Sequence, residues 1–222
     1  MGPVEVALET SRRGGSLAVA AGEEVRLGDL SGEHSHASDL LPRLQELLDA
    51  LGVERNGGVL ALRTVFVGTG PGSYTGLRVG IATAQGLCRA TGARLCGVPS
   101  FDALAWVGLA TGEQGAVALD ARAGRFYFAR YRRSLEGLDV LRSACVVDAA
   151  ELCAHLRAPG PILGHVGLAE AAGLEAGQVA RMRTDLGPDA AAVLALGRLR
   201  SCGFAARPES LEPLYLREFG QR

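Results

Sequence analysis

The chain has 222 residues, 48% of them hydrophobic and 21% charged, which fits one large or two small domains with a substantial core. Its formal net charge of -1 gives the chain as a whole no electrostatic attraction to nucleic acid, and no apolar run reaches the roughly 18 residues of a membrane span. All 23 basic residues are arginine, which excludes a Walker A lysine, a Schiff-base lysine and a Ser-Lys dyad.

Val4–Leu8 is a short apolar run ending at Glu9-Thr10-Ser11. Ser16–Ala20 and Val25–Leu30 follow as further strands, separated by glycine turns. The period then changes: Leu40, Leu41, Leu44, Leu47, Leu48 and Leu51 recur at helical steps. Ser38 or Asp39 is the expected N-cap and Gly52 the expected C-cap. Thr64–Gly68 reads as a buried strand, Gly76–Thr91 as a helix ended by Gly92, and Arg94–Val98 as a strand. Ser100 caps a third helix reaching about Val107. The second half restarts with strands Ala116–Asp120 and Phe126–Tyr131, a helix over Asp148–Leu156 and a late helix over Asp189–Cys202.

The two halves echo each other. Val6-Ala7-Leu8-Glu9 matches Val117-Ala118-Leu119-Asp120 at an offset of 111, half of 222. Both acids end a first strand before a turn and a second strand. Such a duplicated α/β unit is the plan of the actin-like ATPase and sugar-kinase (ribonuclease-H-like) fold, in which those strands end beside a nucleotide. The expected division is a first lobe of residues 1–108 and a second of 109–222.

Cys88, Cys96, Cys145, Cys153 and Cys202 are scattered and form no C-x-x-C pair, the pattern of reduced thiols. Met1–Leu8 has neither a basic start nor an apolar block before a cleavage site, so the expectation is a cytoplasmic protein without a secretory signal.

The loop from Gly68 to Gly76 sits between a strand and a helix, where backbone N–H groups can hold phosphate. Its spacing is neither G-x-G-x-x-G nor Walker A, and Pro71 removes one donor, so a tight strand-to-helix turn is the simpler reading. In the next helix Gly76, Gly80, Ala84 and Cys88 fall at four-residue steps and leave one ridge almost bare. Interior glycines cost about 1 kcal/mol each, which makes sense if another helix packs very close along this ridge, from this chain or from a second one. Glu9 and Asp120 are candidate carboxylates for a nucleotide-bound cation, or simply solvated strand ends. His34-x-His36 lacks the further ligands of a metal site, and Ser73 is not in G-x-S-x-G.

The run Gly70-Pro-Gly-Ser-Tyr-Thr-Gly-Leu-Arg-Val-Gly-Ile-Ala-Thr-Ala-Gln-Gly-Leu87 closely resembles the signature of the TsaB/YeaZ family. Further matches lie in register: Glu9-Thr10-Ser11, His34-Ser35 before Leu40-Leu41-Pro42, Val98-Pro99-Ser100-Phe101, Asp120-Ala121-Arg122 and Pro213-Leu-Tyr-Leu-Arg217. The resemblance covers essentially the whole chain. It implies the actin-like fold with a degenerate nucleotide cleft at Glu9, Thr10, Ser11 and Asp120, and no catalytic or metal-binding residue. It implies a non-catalytic partner of a larger TsaD-type paralogue. That paralogue holds a metal through an H-x-x-x-H pair, absent here, and transfers a threonylcarbamoyl group to N6 of adenosine 37 in tRNAs reading codons that begin with A.

A small TsaE-type ATPase docks on that pair, tRNA is met mainly through the complex, and no cofactor belongs to this chain, any ATP or ADP lying at the interface of the complex. The contact with the paralogue is a helix bundle of the first two helices, which carries over to His34, Leu40, Leu41, Leu44, Leu48, Tyr74, Gly76, Leu77, Gly80, Ile81 and Ala84. The same surface makes homodimers when the paralogue is absent. Glu9, where the family usually has aspartate, and Arg12-Arg13 after it depart from the nucleotide-binding pattern. Two other readings compete: an active small-molecule kinase or ATPase of the same fold, and a hydrolase with a scattered triad.

Overall fold

The structure is a computed structural model that describes residues 3–12, 14–30, 36–53, 55–56, 59–200 and 207–216. The chain forms two compact units, one of residues 1–103 and 188–214, the other of 104–187 and 215–222. In the first, β1 (Val4–Glu9), β2 (Ser16–Ala21) and β3 (Glu24–Asp29) make an antiparallel meander. The chain then runs through α1 (His36–Ala50), the short strands β4 (Arg55–Asn56) and β5 (Val59–Leu60), β6 (Leu62–Gly68), α2 (Tyr74–Thr91) and β7 (Arg94–Val98). β6 and β7 add parallel to β1, giving the order β3-β2-β1-β6-β7.

Every residue of β1 is buried, as expected of a central strand covered on both faces. One cover is α1 and α2: Leu40, Leu44, Leu47, Leu48 and Leu51 join Ile81, Ala84 and Cys88 over Val6, Leu8 and Val65. α1 starts at His36, so Ser38 and Asp39 lie in its first turn instead of capping it. Ser73 caps α2 by accepting the Gly76 N–H, and Gly92 ends it in the left-handed conformation.

α3 (Ser100–Gly108) carries the chain from the first unit into the second. There β8 (Gln114–Asp120), β9 (Arg125–Arg133) and β10 (Leu138–Asp148) form a second meander. After α4 (Ala149–His155), β11 (Ile162–Leu163), α5 (Leu168–Ala172), α6 (Ala176–Val179) and β12 (Met182–Arg183), the sheet order is β10-β9-β8-β11-β12, with β8, β11 and β12 parallel. The first unit's plan is thus repeated, with the echoing strands β1 and β8 each at a sheet centre. Asp148 and Glu151 form a reciprocal capping box that starts α4 over a core of Phe126, Phe128, Val147 and Leu152.

The chain then returns. α7 (Ala190–Leu199), read from sequence order as part of a lobe of residues 109–222, belongs instead to the first unit. It packs on β1, β2, β6 and β7, with Gly197 set directly against the Phe66 ring. The physical reason is the second face of the first sheet: Ala7, Ala18, Ala20 and Phe66 are apolar and need a cover. Arg198 is tied to the buried Glu5 at 2.6 Å, and Ala190 N–H donates to Ser16 Oγ. Among the described residues, no helix is long and apolar enough to cross a membrane.

Candidate functional site

The strand-end segment Glu9-Thr10-Ser11 and the glycine loop after β6 are built into one another. Glu9 is fully buried. Its Oε1 accepts the Ser11 N–H at 2.7 Å, and Oε2 has no hydrogen-bond partner among the described residues. Burial raises the Glu9 pKa, opposed by hydrogen bonding from Ser11, the nearby Ser100 hydroxyl and the Arg12 guanidinium. Gly68 at the end of β6 makes the room, since a Cβ there would lie closer than 3.0 Å to the Glu9 carboxylate. Arg12 Nε donates to Pro188 O just before α7.

Thr10 Oγ1 donates to Gly76 O at 2.8 Å. A Cβ on Gly76 would meet Thr10 O, one on Gly80 would meet Thr10 Oγ1, and one on Gly72 would meet Ser11 O, each inside 3.0 Å. The bare ridge of α2 is therefore the seat of this chain's own Thr10. Four of the loop's N–H groups are engaged with other parts of the chain or the loop. Thr69 donates to Val98 O, Gly70 to Ser100 Oγ, Ser73 to Ser11 O and Gly76 to Ser73 Oγ. These four donors are taken up by acceptors of the first unit itself. Leu214 N–H also donates to Thr69 O, which places part of the Pro213–Arg217 motif here; Arg217 lies outside the described residues.

Asp120, in the second unit, is in a different environment. It is exposed at the end of β8. Its Oδ1 accepts the Arg122 N–H at 2.6 Å and its own N–H donates to His165 Nε2 at 3.3 Å. The turn that follows holds Arg122, Ala123 and Gly124 at φ 67, 52 and 67. A side-chain-bearing residue there costs about 1–2 kcal/mol. Among the described residues no cluster of three or more His, Cys, Asp or Glu side chains could hold a metal ion.

The residues expected to meet a partner divide sharply. Leu40, Leu44, Leu48, Leu77, Ile81 and Ala84 are buried in the first unit, as are Gly76 and Gly80. Leu41, 54% exposed, and Tyr74, 37% exposed, reach the surface, Tyr74 lying under the Arg78 guanidinium at 4.1 Å. His34 lies outside the described residues, as do Arg13 and Cys202, and nothing is described of the His36 side chain.

The exposed side of α2 went unread in the sequence. Thr75, Ala82, Gly86 and Ala90 are exposed, with Val79 half-buried among them, and they fall at three- and four-residue steps opposite the ridge. Gly86 differs from Gly76 and Gly80, because a Cβ there meets nothing within 4 Å. The sequence signal was a third interior glycine off the four-residue ridge.

The sequence profile of the family described as "TsaD: tRNA N6-adenosine threonylcarbamoyltransferase" matches residues 31–184. The chain is 34% identical over 107 residues to the tRNA threonylcarbamoyladenosine biosynthesis protein TsaB of Escherichia coli, covering 46% of this chain and 44% of that one. It is 31% identical over 131 residues to the protein of that name from Haemophilus influenzae, covering 58% and 53%. The chain thus spans about half the length of these curated relatives. Its fold is that of YeaZ from Pseudomonas aeruginosa, at a TM-score of 0.75 and 24% identity, over 96% of this chain and 100% of that one.

Proposed function

The chain belongs to the TsaD family as a TsaB/YeaZ-like member with the actin-like ATPase fold, and on that premise we propose that it is a non-catalytic subunit of a tRNA-modifying complex. The complex transfers a threonylcarbamoyl group to N6 of adenosine 37 in tRNAs that read codons beginning with A. Its partner is a TsaD-type paralogue, a TsaE-type ATPase docks on the pair, and ATP or ADP is held at the interface of the complex. The same face pairs two copies of this chain when the paralogue is absent.

The observation that carries this reading is Gly86. It is an exposed helix-interior glycine with open space where its side chain would be, and helix propensity alone would favour alanine by about 1 kcal/mol. A second helix crossing closely over Thr75, Ala82, Gly86 and Ala90 would account for it. Leu41 and Tyr74 belong to the proposed contact; the buried leucines and ridge glycines support it from beneath. The sealed Glu9 carboxyl supports the non-catalytic half of the proposal.

Light scattering after size exclusion, on the chain alone and mixed with the TsaD-type protein of its host, tests the reading. A one-to-one species is expected for the wild type. Gly86→Phe, whose ring has room in the free chain, should remain folded and fail to form it. An unimpaired complex with Gly86→Phe would place the contact elsewhere, and no complex with the wild type would remove the scaffold reading.

A further inference from the structure

The second unit gathers more positive charge on one sheet face than its packing requires. Arg130 of β9 stands directly across from Arg142 of β10. Like charges directly opposite in an antiparallel ladder are destabilising. The ladder is irregular on both sides of Arg142, between Val140 and Arg142 and again between Arg142 and Cys145. Such bulges re-aim side chains at sheet edges, and β10 is an edge strand.

The Arg142 guanidinium lies 5.9 Å from the Phe128 ring centroid, and His155 stacks on that ring at 4.9 Å. Burial, then Arg142, lowers the His155 pKa, and burial, then Arg181, lowers that of Arg130. Arg157 is exposed on the loop that follows α4.

Part of this charge is structural. Arg181 donates to the carbonyls of Leu156, Ala158 and Gly160, and Arg130 to that of Pro159, so both hold the loop beyond α4. Arg132 lies across from Asp139, and Glu151 is engaged in the α4 capping box. Among the described residues no carboxylate pairs with Arg142 or Arg157. Arg130, Arg132, Arg142 and Arg181, with Arg157 on the adjoining loop, thus stand against Asp139 and Glu151, on a chain whose formal net charge is -1.

We infer that this face docks the sugar–phosphate backbone of RNA, with Arg142 and Arg157 contacting phosphates and Arg130 and Arg181 as fixed charges behind them. Charge complementarity selects a polyanion, since phosphates between Arg130 and Arg142 turn their repulsion into shared attraction. The choice of RNA rests on the proposed function. Outside this face the chain carries more acidic than basic residues, so the excess positive charge is gathered here.

The test is binding of the full chain to a fluorescent tRNA transcript between 50 and 200 mM salt, for wild type, Arg142→Gln/Arg157→Gln and the control Arg26→Gln. Loss of two phosphate contacts should flatten the slope of log affinity against log salt by about 2, so the wild type loses about tenfold more affinity across that range. Arg26→Gln should match the wild type. No tRNA binding by the wild type at 50 mM salt, or an unchanged slope in the double variant, would overturn the inference. So would anionic phosphatidylglycerol vesicles that need both arginines while tRNA does not. Threonylcarbamoyladenosine formation with the TsaD-type partner separates the two readings. Normal modification alongside an unchanged salt slope defeats this inference alone, whereas a wild-type chain that supports no modification defeats the proposed function.

Discussion

Two alanine substitutions on the same helix should have opposite signs. Both Gly80→Ala and Gly86→Ala gain about 1 kcal/mol of helix propensity. At Gly86 the new methyl meets nothing within 4 Å, so the free chain should gain about 0.5–1 kcal/mol. At Gly80 the methyl would enter the space of Thr10 Oγ1, which is fully buried and bonded to Gly76 O at 2.8 Å. Overpacking costs about 1–3 kcal/mol and a disrupted buried hydrogen bond a similar amount, leaving a net loss of about 1–5 kcal/mol after the propensity gain. Urea unfolding followed by circular dichroism measures both; the midpoints should move apart, Gly86→Ala up and Gly80→Ala down, at unchanged slope. Gly80→Ala as stable as the wild type would refute the packing argument and return the bare ridge to the surface.

Ala123→Gly should raise stability by about 0.5–1 kcal/mol, because Ala123 sits at φ 52; an unchanged or lower thermal midpoint would mean the turn is not strained. Arg133→Lys should destabilise the second unit by about 1–2 kcal/mol, since the guanidinium stacks 3.8 Å from the centroid of Trp106, the chain's one tryptophan, and donates to the Trp106 and Leu109 carbonyls. An emission spectrum the same as that of the wild type would count against that contact. Glu9→Gln tests the sealed carboxyl. Its folded pKa is raised above 4.5, so folding favours the protonated form, and stability is lost as pH rises from 4.5 through the folded value. The glutamine variant should lack this loss. Parallel stability profiles of the two proteins against pH would show that Glu9 is not held as a buried acid.

Much of the fold was legible because it repeats. The echo of Val6–Glu9 in Val117–Asp120 marked two equivalent strands, and each is the centre of a five-stranded sheet. The helix over Asp189–Cys202 was legible as a helix but not in its allegiance. An amphipathic pattern says that a face must be covered without saying which sheet covers it, and the first sheet, with α1 and α2 on one face only, takes it. The α2 ridge had the same ambiguity. Four-residue spacing of small residues announces a close neighbour, and only the backbone geometry shows that this neighbour is Thr10. The leucine stripe of α1 was broader than one core needed, and the surplus is Leu41, on the outer side.

The two strand-end acids show where the repeat stops being informative. Glu9 and Asp120 hold equivalent places in equivalent strands, and sequence alone assigns them the same role. Their surroundings come from other parts of the chain. Around Glu9, Gly68 withholds a side chain, Arg12 reaches Pro188, and the start of α7 bonds Ser16, the residue paired with Glu9 across the ladder. The returning helix closes that end of the first sheet, and a carboxyl under it is better kept protonated than charged. Asp120 stays exposed and turns its oxygen to the backbone of a left-handed turn. Two acids at matching strand ends thus stand in opposite settings, one buried in the packing of the first unit and one exposed at a turn of the second.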